Sequence, residues 1–173
     1  MKYRDLVPPD SFIGQYMQYM SNVETPEAYD FWCAVWAIGV SCGRSVTVDR
    51  PRAPVYLNWY IILAAQSGTT RKSTAVRSIT SIVQDNPGNI LTGKTSPENL
   101  DLYLHDQSRV KGCAFVSFAV PELVTILGRE GYMATMPGLL TDLYDCPELR
   151  VSPGTIKSGE LTHEKVYVSF LSA

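Results

Sequence analysis

The feature that most constrains the fold is a loop of small and hydroxyl-bearing residues between an apolar run and an amphipathic pattern. The run covers residues 55–65, and its second half is a continuous β-rich stretch, typical of a strand covered on both faces. Residues 72–83 then place their apolar side chains on one helical face. A strand, a short loop and a helix in this order indicate an α/β fold, because the helix returns along the sheet before the next parallel strand.

The same alternation of strands and helices continues along the chain. Further helices are predicted near residues 10–21, 29–42, 96–104, 123–127 and 136–144, and further strands near 45–49, 89–92, 112–118 and 166–171. This order predicts a three-layer α/β fold with a mainly parallel sheet. In this fold a helical segment of residues 1–44 packs on a core of residues 45–173.

The second helix carries its own start and stop signals. Thr25 is a candidate cap before Pro26, and Gly43 can end the helix. The helix is apolar around much of its circumference, which predicts that it is largely buried. Trp32 and Trp36 lie four residues apart on it, and we expect them to form a core seam instead of a base-stacking platform.

Composition limits the classes of partner. Hydrophobic residues make up 45% of the chain and charged residues 18%, as in ordinary globular proteins. The formal charge of −2 gives no global positive field, so any contact with DNA has to use a local patch. No apolar stretch approaches the roughly 20 residues of a membrane helix. We expect a soluble, cytoplasmic protein without membrane contact, and its cysteines lack zinc-site spacing and are predicted to be free thiols.

The loop itself, within residues 64–76, indicates phosphate binding. Such loops point backbone N–H groups at a phosphate, and the helix that starts there adds its positive end. The pattern Gly-x-x-x-x-Gly-Lys-Ser/Thr is met at Lys72 and Ser73, but Gln66 and Arg71 occupy the two glycine positions. An alternative alignment sets Ala65, Ser67 and Gly68 against a small-x-Ser-Gly opening, and the loop then holds one extra residue.

Each residue of the loop has a predicted role. Lys72 neutralises phosphate charge, Ser73 holds Mg²⁺, and the N–H groups of the preceding small residues bind phosphate oxygens. The predicted nucleotide-binding set is Ser67, Gly68, Thr69, Thr70, Arg71, Lys72, Ser73 and Thr74. Arg71 requires a backbone conformation open to residues with a Cβ, and its guanidinium either points outward or adds charge to the site. The competing interpretation is a helix capped by Ser or Thr that has a lysine by chance.

A second candidate site residue follows the third buried strand. Glu122 is the acid at the end of that strand, where nucleoside triphosphatases place an acid that polarises the attacking water. The metal-shell aspartate that usually precedes it is absent, because that position is Pro121. Alternatively, Glu122 is a first-turn acid of the next helix.

Weaker candidates lie nearer the C-terminus. Asp142 and Asp145 either reach the metal or form the solvated side of a helix. Ser169 and Ser172 lie in the last strand, where such enzymes place a polar sensor of the terminal phosphate, and Ser172 is the better placed of the two.

As a set, these blocks resemble a family of P-loop proteins from phages, prophages and mobile elements that are associated with primases and helicases. The similar blocks are Phe31-Trp32, Asn58-Trp59-Tyr60-Ile61, Ser67-Gly68-Thr69, Arg71-Lys72-Ser73-Thr74, Ser96-Pro97-Glu98-Asn99-Leu100, Pro121-Glu122-Leu123, Leu140-Thr141-Asp142-Leu143-Tyr144-Asp145 and Phe170-Leu171-Ser172-Ala173. They run in the same order from about Tyr29 to the end of the chain.

The resemblance implies an ATP-binding, RecA-like P-loop NTPase core that acts on DNA in replication or packaging, in a bacterial host cell. It further implies a homo-oligomeric ring or filament, with Lys72 and Ser73 on the nucleotide and Glu122 at the Walker B position. An arginine finger from a neighbouring subunit would then be a surface residue such as Arg129 or Arg150. The leading expectation is an Mg²⁺-dependent ATPase. The alternatives are a nucleotide-binding assembly module with weak catalysis and, less favoured, a small-molecule kinase.

Overall fold

In the computed structural model, which describes residues 3–51, 53–66, 70–84, 90–128, 131–153 and 159–173, the chain alternates between helices and strands. The helices are α1 (Phe12–Met20), α2 (Glu27–Cys42), α3 (Lys72–Val83), α4 (Pro97–Lys111), α5 (Val124–Leu127) and α6 (Met136–Tyr144). The strands are β1 (Thr47–Val48), β2 (Val55–Tyr56), β3 (Tyr60–Ile62), β4 (Ile90–Leu91), β5 (Phe115–Val120), β6 (Leu149–Ser152), β7 (Leu161–Glu164) and β8 (Tyr167–Ser172).

A parallel sheet of four strands, in the order β3-β8-β5-β4, lies at the centre of the described structure. Each neighbouring pair in this sheet is parallel, as predicted. Ser172 of β8 is paired with Ile62 on one side and with Val120 on the other. The carboxyl ends of β3, β8 and β5 are therefore level with one another.

Helices cover both faces of this sheet. On one face α1, α2 and α3 pack over alternate sheet residues that include Ala119 and Leu171. On the other face α4, α5 and α6 pack over their neighbours Phe118 and Phe170. Successive strand residues point to opposite faces, so the alternation of β5 and β8 supplies both cores. The three-layer α/β architecture is confirmed.

Several sequence signals for helix ends are confirmed. The Ser96 hydroxyl accepts from the Asn99 amide at 3.2 Å, and Pro97 is the first residue of α4. Gly43 ends α2 with a φ of +51°, a value that L side chains rarely adopt. Thr25 is not the cap of α2: Pro26 holds that position, and the Thr25 hydroxyl donates to the Asp30 carboxylate instead.

Other predictions are wrong in part because tertiary position overrides local pattern. The second half of the apolar run forms only the short strand β3, which lies at an edge of the described sheet and leaves Ile62 55% exposed. Trp36 is fully buried, but Trp32 is 44% exposed and makes an edge-to-face contact with Phe31. The predicted strand near residues 45–49 belongs to the β1–β2 hairpin, outside the parallel sheet.

Two further findings complete the fold. An antiparallel hairpin, β6–β7, packs on α4 and was not predicted from the sequence. The four cysteines Cys33, Cys42, Cys113 and Cys146 are free thiols. None of the helices in the described ranges has the length and apolar character needed to span a bilayer.

Candidate functional site

The predicted phosphate loop joins the end of β3 to the start of α3. Its first part continues the sheet, because the Leu63 amide donates to the Ser172 carbonyl at 2.8 Å. At the other end of the loop the Lys72 ammonium donates to the Ala65 carbonyl at 2.8 Å. Lys72 therefore reaches back across the loop to the chain that leaves β3. Three predicted ligands, Ser67, Gly68 and Thr69, lie outside the described residues.

The N-terminus of α3 is open to an anion. Its N-cap residue, Arg71, makes no capping hydrogen bond through its side chain, and the first turn contains no acidic residue. The Arg71 carbonyl accepts from the amides of Thr74 and Ala75, so the turn is formed without a capping side chain. An uncapped helix start presents free N–H groups and a positive partial charge. Ser73 and Thr74 lie half-buried in this turn.

Arg71 takes the outward of its two predicted orientations. Its guanidinium forms an ion pair with Glu24, in the connection between α1 and α2. Its φ of −85° and ψ of 53° are compatible with a residue that has a Cβ, as predicted. Both side chains of the pair are largely exposed, so the pair contributes little to stability. The pair shows that Glu24, in the α1–α2 connection, lies beside the end of the loop.

Two buried hydroxyl groups near the sheet end have no hydrogen-bond partner in the described structure. They are Thr70 Oγ1, two residues before Lys72, and Ser172 Oγ, at the end of β8. A buried polar atom without a partner destabilises the folded state by about 1–3 kcal/mol. A bound ligand or an ordered water can supply the missing hydrogen bond. Ser169, the other predicted sensor, donates to the Trp59 carbonyl at 3.1 Å and is used structurally.

Glu122 lies at the same end of the sheet. It follows β5 by two residues, and its side chain is exposed. The next residue, Leu123, donates its amide to the Ala173 carbonyl at 3.2 Å, which ties this segment to the end of β8. Because Leu123 is the N-cap of α5, Glu122 precedes the helix and is not a first-turn acid.

The other acidic candidates are not brought together with Lys72. Asp142 lies in α6 and Asp145 is its C-cap, and both are exposed. Because α6 covers the face of the sheet opposite α3, no described contact joins these acids to the loop.

Arg150, one of the two candidate arginine fingers, takes part in a polar cluster within the chain. Its guanidinium donates to the Asp101 carboxylate at 2.8 Å and to the ring of His163 at 3.2 Å. Ser152 also donates to Asp101, at 2.8 Å. This buried cluster joins the β6–β7 hairpin to α4. Arg129, the other candidate finger, lies outside the described residues.

The cluster also fixes the protonation state of His163. Burial lowers the pKa of this ring, which is fully buried. Its Nε2 donates to the Asp101 carbonyl at 2.9 Å while its Nδ1 accepts from Arg150, and only the neutral ring can do both.

Sequence reasoning missed a buried acid next to the loop. Asp30 of α2 is only 4% exposed, and both of its oxygens accept from the Thr25 hydroxyl at 2.9 Å. Burial raises the pKa of this carboxyl. The sequence feature that indicates the burial of Asp30 is its position, because it shares a helix face with Cys33 and Ala37, which are buried.

Comparison of the chain with protein-family models, with curated proteins and with solved structures gives no match. Within the described ranges, no cluster of three or more histidine, cysteine, aspartate or glutamate side chains is arranged to hold a metal ion by itself.

Proposed function

We propose that this protein binds ATP through residues 64–76 and is an Mg²⁺-dependent ATPase of phage or mobile-element DNA replication or processing. One observation carries the proposal. After the loop that follows the parallel strand β3, Lys72 begins a helix whose N-cap side chain makes no capping bond, and its ammonium group donates back to the Ala65 carbonyl. A cation and a free helix start at one place are what a polyphosphate requires.

The order of the strands supports a RecA-like core. The strand before the loop, β3, and the strand before Glu122, β5, are separated by β8. Ser172 at the end of β8 is therefore flanked by the ends of both strands. A terminal phosphate held by the loop would then lie between Lys72 and Glu122, within reach of Ser172.

The residues present fit Mg²⁺ bound together with a nucleotide. Magnesium in such sites keeps water and phosphate oxygens as ligands and needs one or two protein ligands, which the Ser73 hydroxyl can supply. The orphaned hydroxyls of Thr70 and Ser172 lie at the same end of the sheet and lack partners that a nucleotide or its ordered water would provide. Bound Mg²⁺ supplies neutralisation of the charge that develops on the phosphates.

For hydrolysis, Glu122 is the group that would accept a hydrogen bond from the attacking water. Its exposure at the strand end leaves its carboxylate accessible. The rival function is a nucleotide-binding assembly module, favoured by Pro121 at the position of the usual metal-shell aspartate. In that case ATP binds and is not turned over.

The test measures ATP affinity and phosphate release in parallel. We expect Lys72→Ala to weaken ATP binding at least about tenfold, since a charge-assisted contact with phosphate is lost. Lys111→Ala, at the end of α4 on the opposite face, is the matched control and is expected to bind as the wild type does. Equal affinity of Lys72→Ala and wild type would overturn phosphate binding by the loop.

Glu122→Gln separates the ATPase from the module. An ATPase should lose phosphate release about a hundredfold or more while still binding ATP. Wild-type protein that binds ATP without release, with no change in Glu122→Gln, would establish the module instead.

A further inference from the structure

A cavity lies beside the phosphate loop, between the end of α1 and the start of α2. Its volume is about 430 Å³, within the range of small-molecule sites. Apolar side chains and polar groups both line it: Met17, Met20, Val23, Gln18, Thr25 and Asp30. Two acids line the cavity: Asp30 is buried, at 4% exposed, and Glu27 is half-buried.

Two contacts place this cavity next to the loop. Glu24, adjacent in sequence to Thr25, forms the ion pair with Arg71. Tyr29, adjacent to Asp30, donates its hydroxyl to the Ala64 carbonyl at 2.8 Å. Residues adjacent in sequence to two lining residues thus contact this segment at Ala64 and at Arg71, just before Lys72.

The polar groups around Asp30 are incompletely satisfied. A carboxylate has about four lone-pair sites, and the Thr25 hydroxyl is the donor shown to bond it. The Tyr16 hydroxyl is buried and has no partner in the described structure, and burial raises the pKa of that phenol, with smaller contributions from Cys33 and Asp30. Both Asp30 oxygens share the one Thr25 donor, so the carboxylate has capacity to accept a further hydrogen bond from a ligand that donates N–H groups.

From this geometry we infer that the cavity holds the base of the nucleotide, with the Asp30 carboxylate accepting a hydrogen bond from the exocyclic amino group of a purine. The inference rests on the proposed function, since the same nucleotide places its phosphates at Lys72. Met17, Met20 and Val23 supply apolar contact for the faces of the base, and Thr25 positions the carboxylate. The N-terminal helices thereby become part of the nucleotide site.

The experiment compares three probes on the full chain in the presence of Mg²⁺. They are ATP, purine riboside 5′-triphosphate, which lacks only the amino group, and inorganic tripolyphosphate, which lacks the nucleoside. The wild type is expected to bind ATP about tenfold or more tighter than purine riboside triphosphate, the value of one hydrogen bond to a charged group. Equal affinities for these two nucleotides would overturn the inference.

Asp30→Asn tests the residue itself. The Thr25 hydroxyl occupies the amide oxygen, which leaves the amide N–H₂ group facing the cavity, where it cannot accept from an amino group. The preference for ATP over purine riboside triphosphate should fall to about one, while affinity for tripolyphosphate stays unchanged. Asp30→Leu, which removes both acceptors, should give the same ratio. A retained tenfold preference in both variants would overturn the assignment.

The controls separate this inference from the proposed function. Asp106→Asn makes the same chemical change at an exposed position of α4 and should leave all three affinities unaltered. Failure of the wild type to bind tripolyphosphate and ATP would refute the phosphate site itself. Binding of tripolyphosphate without discrimination between the two nucleotides would refute the base pocket alone.

Discussion

At the scale of single residues, Ser172 combines full burial with a hydroxyl group left unsatisfied by the described residues. It is fully buried, and its hydroxyl has no partner in the described structure, which costs stability in the absence of ligand. We therefore expect the Ser172 hydroxyl to serve the activity of the site and not the stability of the fold. Neighbouring Ser169, by contrast, has a structural hydrogen bond to Trp59.

Ser172→Ala should accordingly make the ligand-free protein more stable and less active. We expect the free energy of unfolding to rise by about 1 kcal/mol, because an orphaned buried hydroxyl is removed. ATP affinity should change less than twofold, and phosphate release should fall about tenfold or more. Urea denaturation and a phosphate-release assay measure the two effects. A loss of stability in Ser172→Ala would show that the hydroxyl has a partner in the ligand-free protein.

His163 predicts a pH dependence of stability. Its pKa is lowered in the folded protein from the ordinary value of 6.5, so unfolding takes up a proton as the pH falls. The stabilisation is present above about pH 6.5 and is lost as the pH falls through the folded-state pKa. The groups that face the ring are Asp101, Arg150 and His105.

The measurement is the free energy of unfolding between pH 7.5 and 5 for wild type and His163→Gln. Glutamine stays neutral, so the difference in free energy of unfolding between the two proteins should shrink steadily as the pH falls to the acid end of the range. A difference that is constant with pH would mean that His163 does not titrate between the folded and unfolded states.

At the scale of elements, α2 lies so close to the segment before β3 that position 39, at the contact, has no room for a side chain. A Cβ on Gly39 would lie 2.2 Å from the Leu57 carbonyl oxygen and 2.9 Å from the Trp59 ring. The Tyr167 hydroxyl donates to the carbonyls of both Gly39 and Leu57, at 2.7 and 3.0 Å. These contacts hold α2 against the chain that leads into the loop. The close approach is possible because Gly39 has no side chain.

Gly39→Ala should therefore destabilise the fold by about 1–3 kcal/mol, the usual cost of overpacking. Gly138→Ala in α6 is the matched control, because a Cβ there meets nothing within 4 Å. Since alanine favours the helix, the control should gain about 0.5–1 kcal/mol. Urea denaturation midpoints of the two variants should move in opposite directions. Movement in the same direction would contradict the close approach of α2.

At the scale of the whole molecule, the strand that precedes the loop lies at an edge of the described sheet. Ile62 of this strand is exposed, and Val124 and Tyr144 nearby in the fold expose apolar surface as well. Unpaired edges and apolar surface favour association with another chain. These features support the homo-oligomer that we expect from the sequence.

Nucleotide should shift the association of the protein. We expect the mass measured by light scattering on a sizing column to increase when Mg²⁺ and ATP are added, and Ile62→Lys to reduce that increase. Lys72→Ala serves as the control that removes nucleotide binding and leaves the edge intact. A single mass under all conditions would argue against an oligomer driven by nucleotide.

Local sequence pattern predicts the alternation of strands and helices, the helix ends at Ser96 and Gly43, and the position of Lys72 at the start of a helix. These features depend on contacts between residues a few positions apart, so local pattern is sufficient to predict them. The three-layer arrangement follows from the same patterns, because each amphipathic helix has to bury one face on a sheet.

Which of these residues contact one another depends on how the elements pack in three dimensions. The pairing of Arg71 with Glu24, the ion pair that engages Arg150, and the edge position of β3 join segments distant in the chain. Asp30 became a candidate ligand for the same reason, since its burial depends on α1 and on the chain beside the loop. Local pattern carries no information on such contacts, because their energies arise from groups that the sequence does not place side by side.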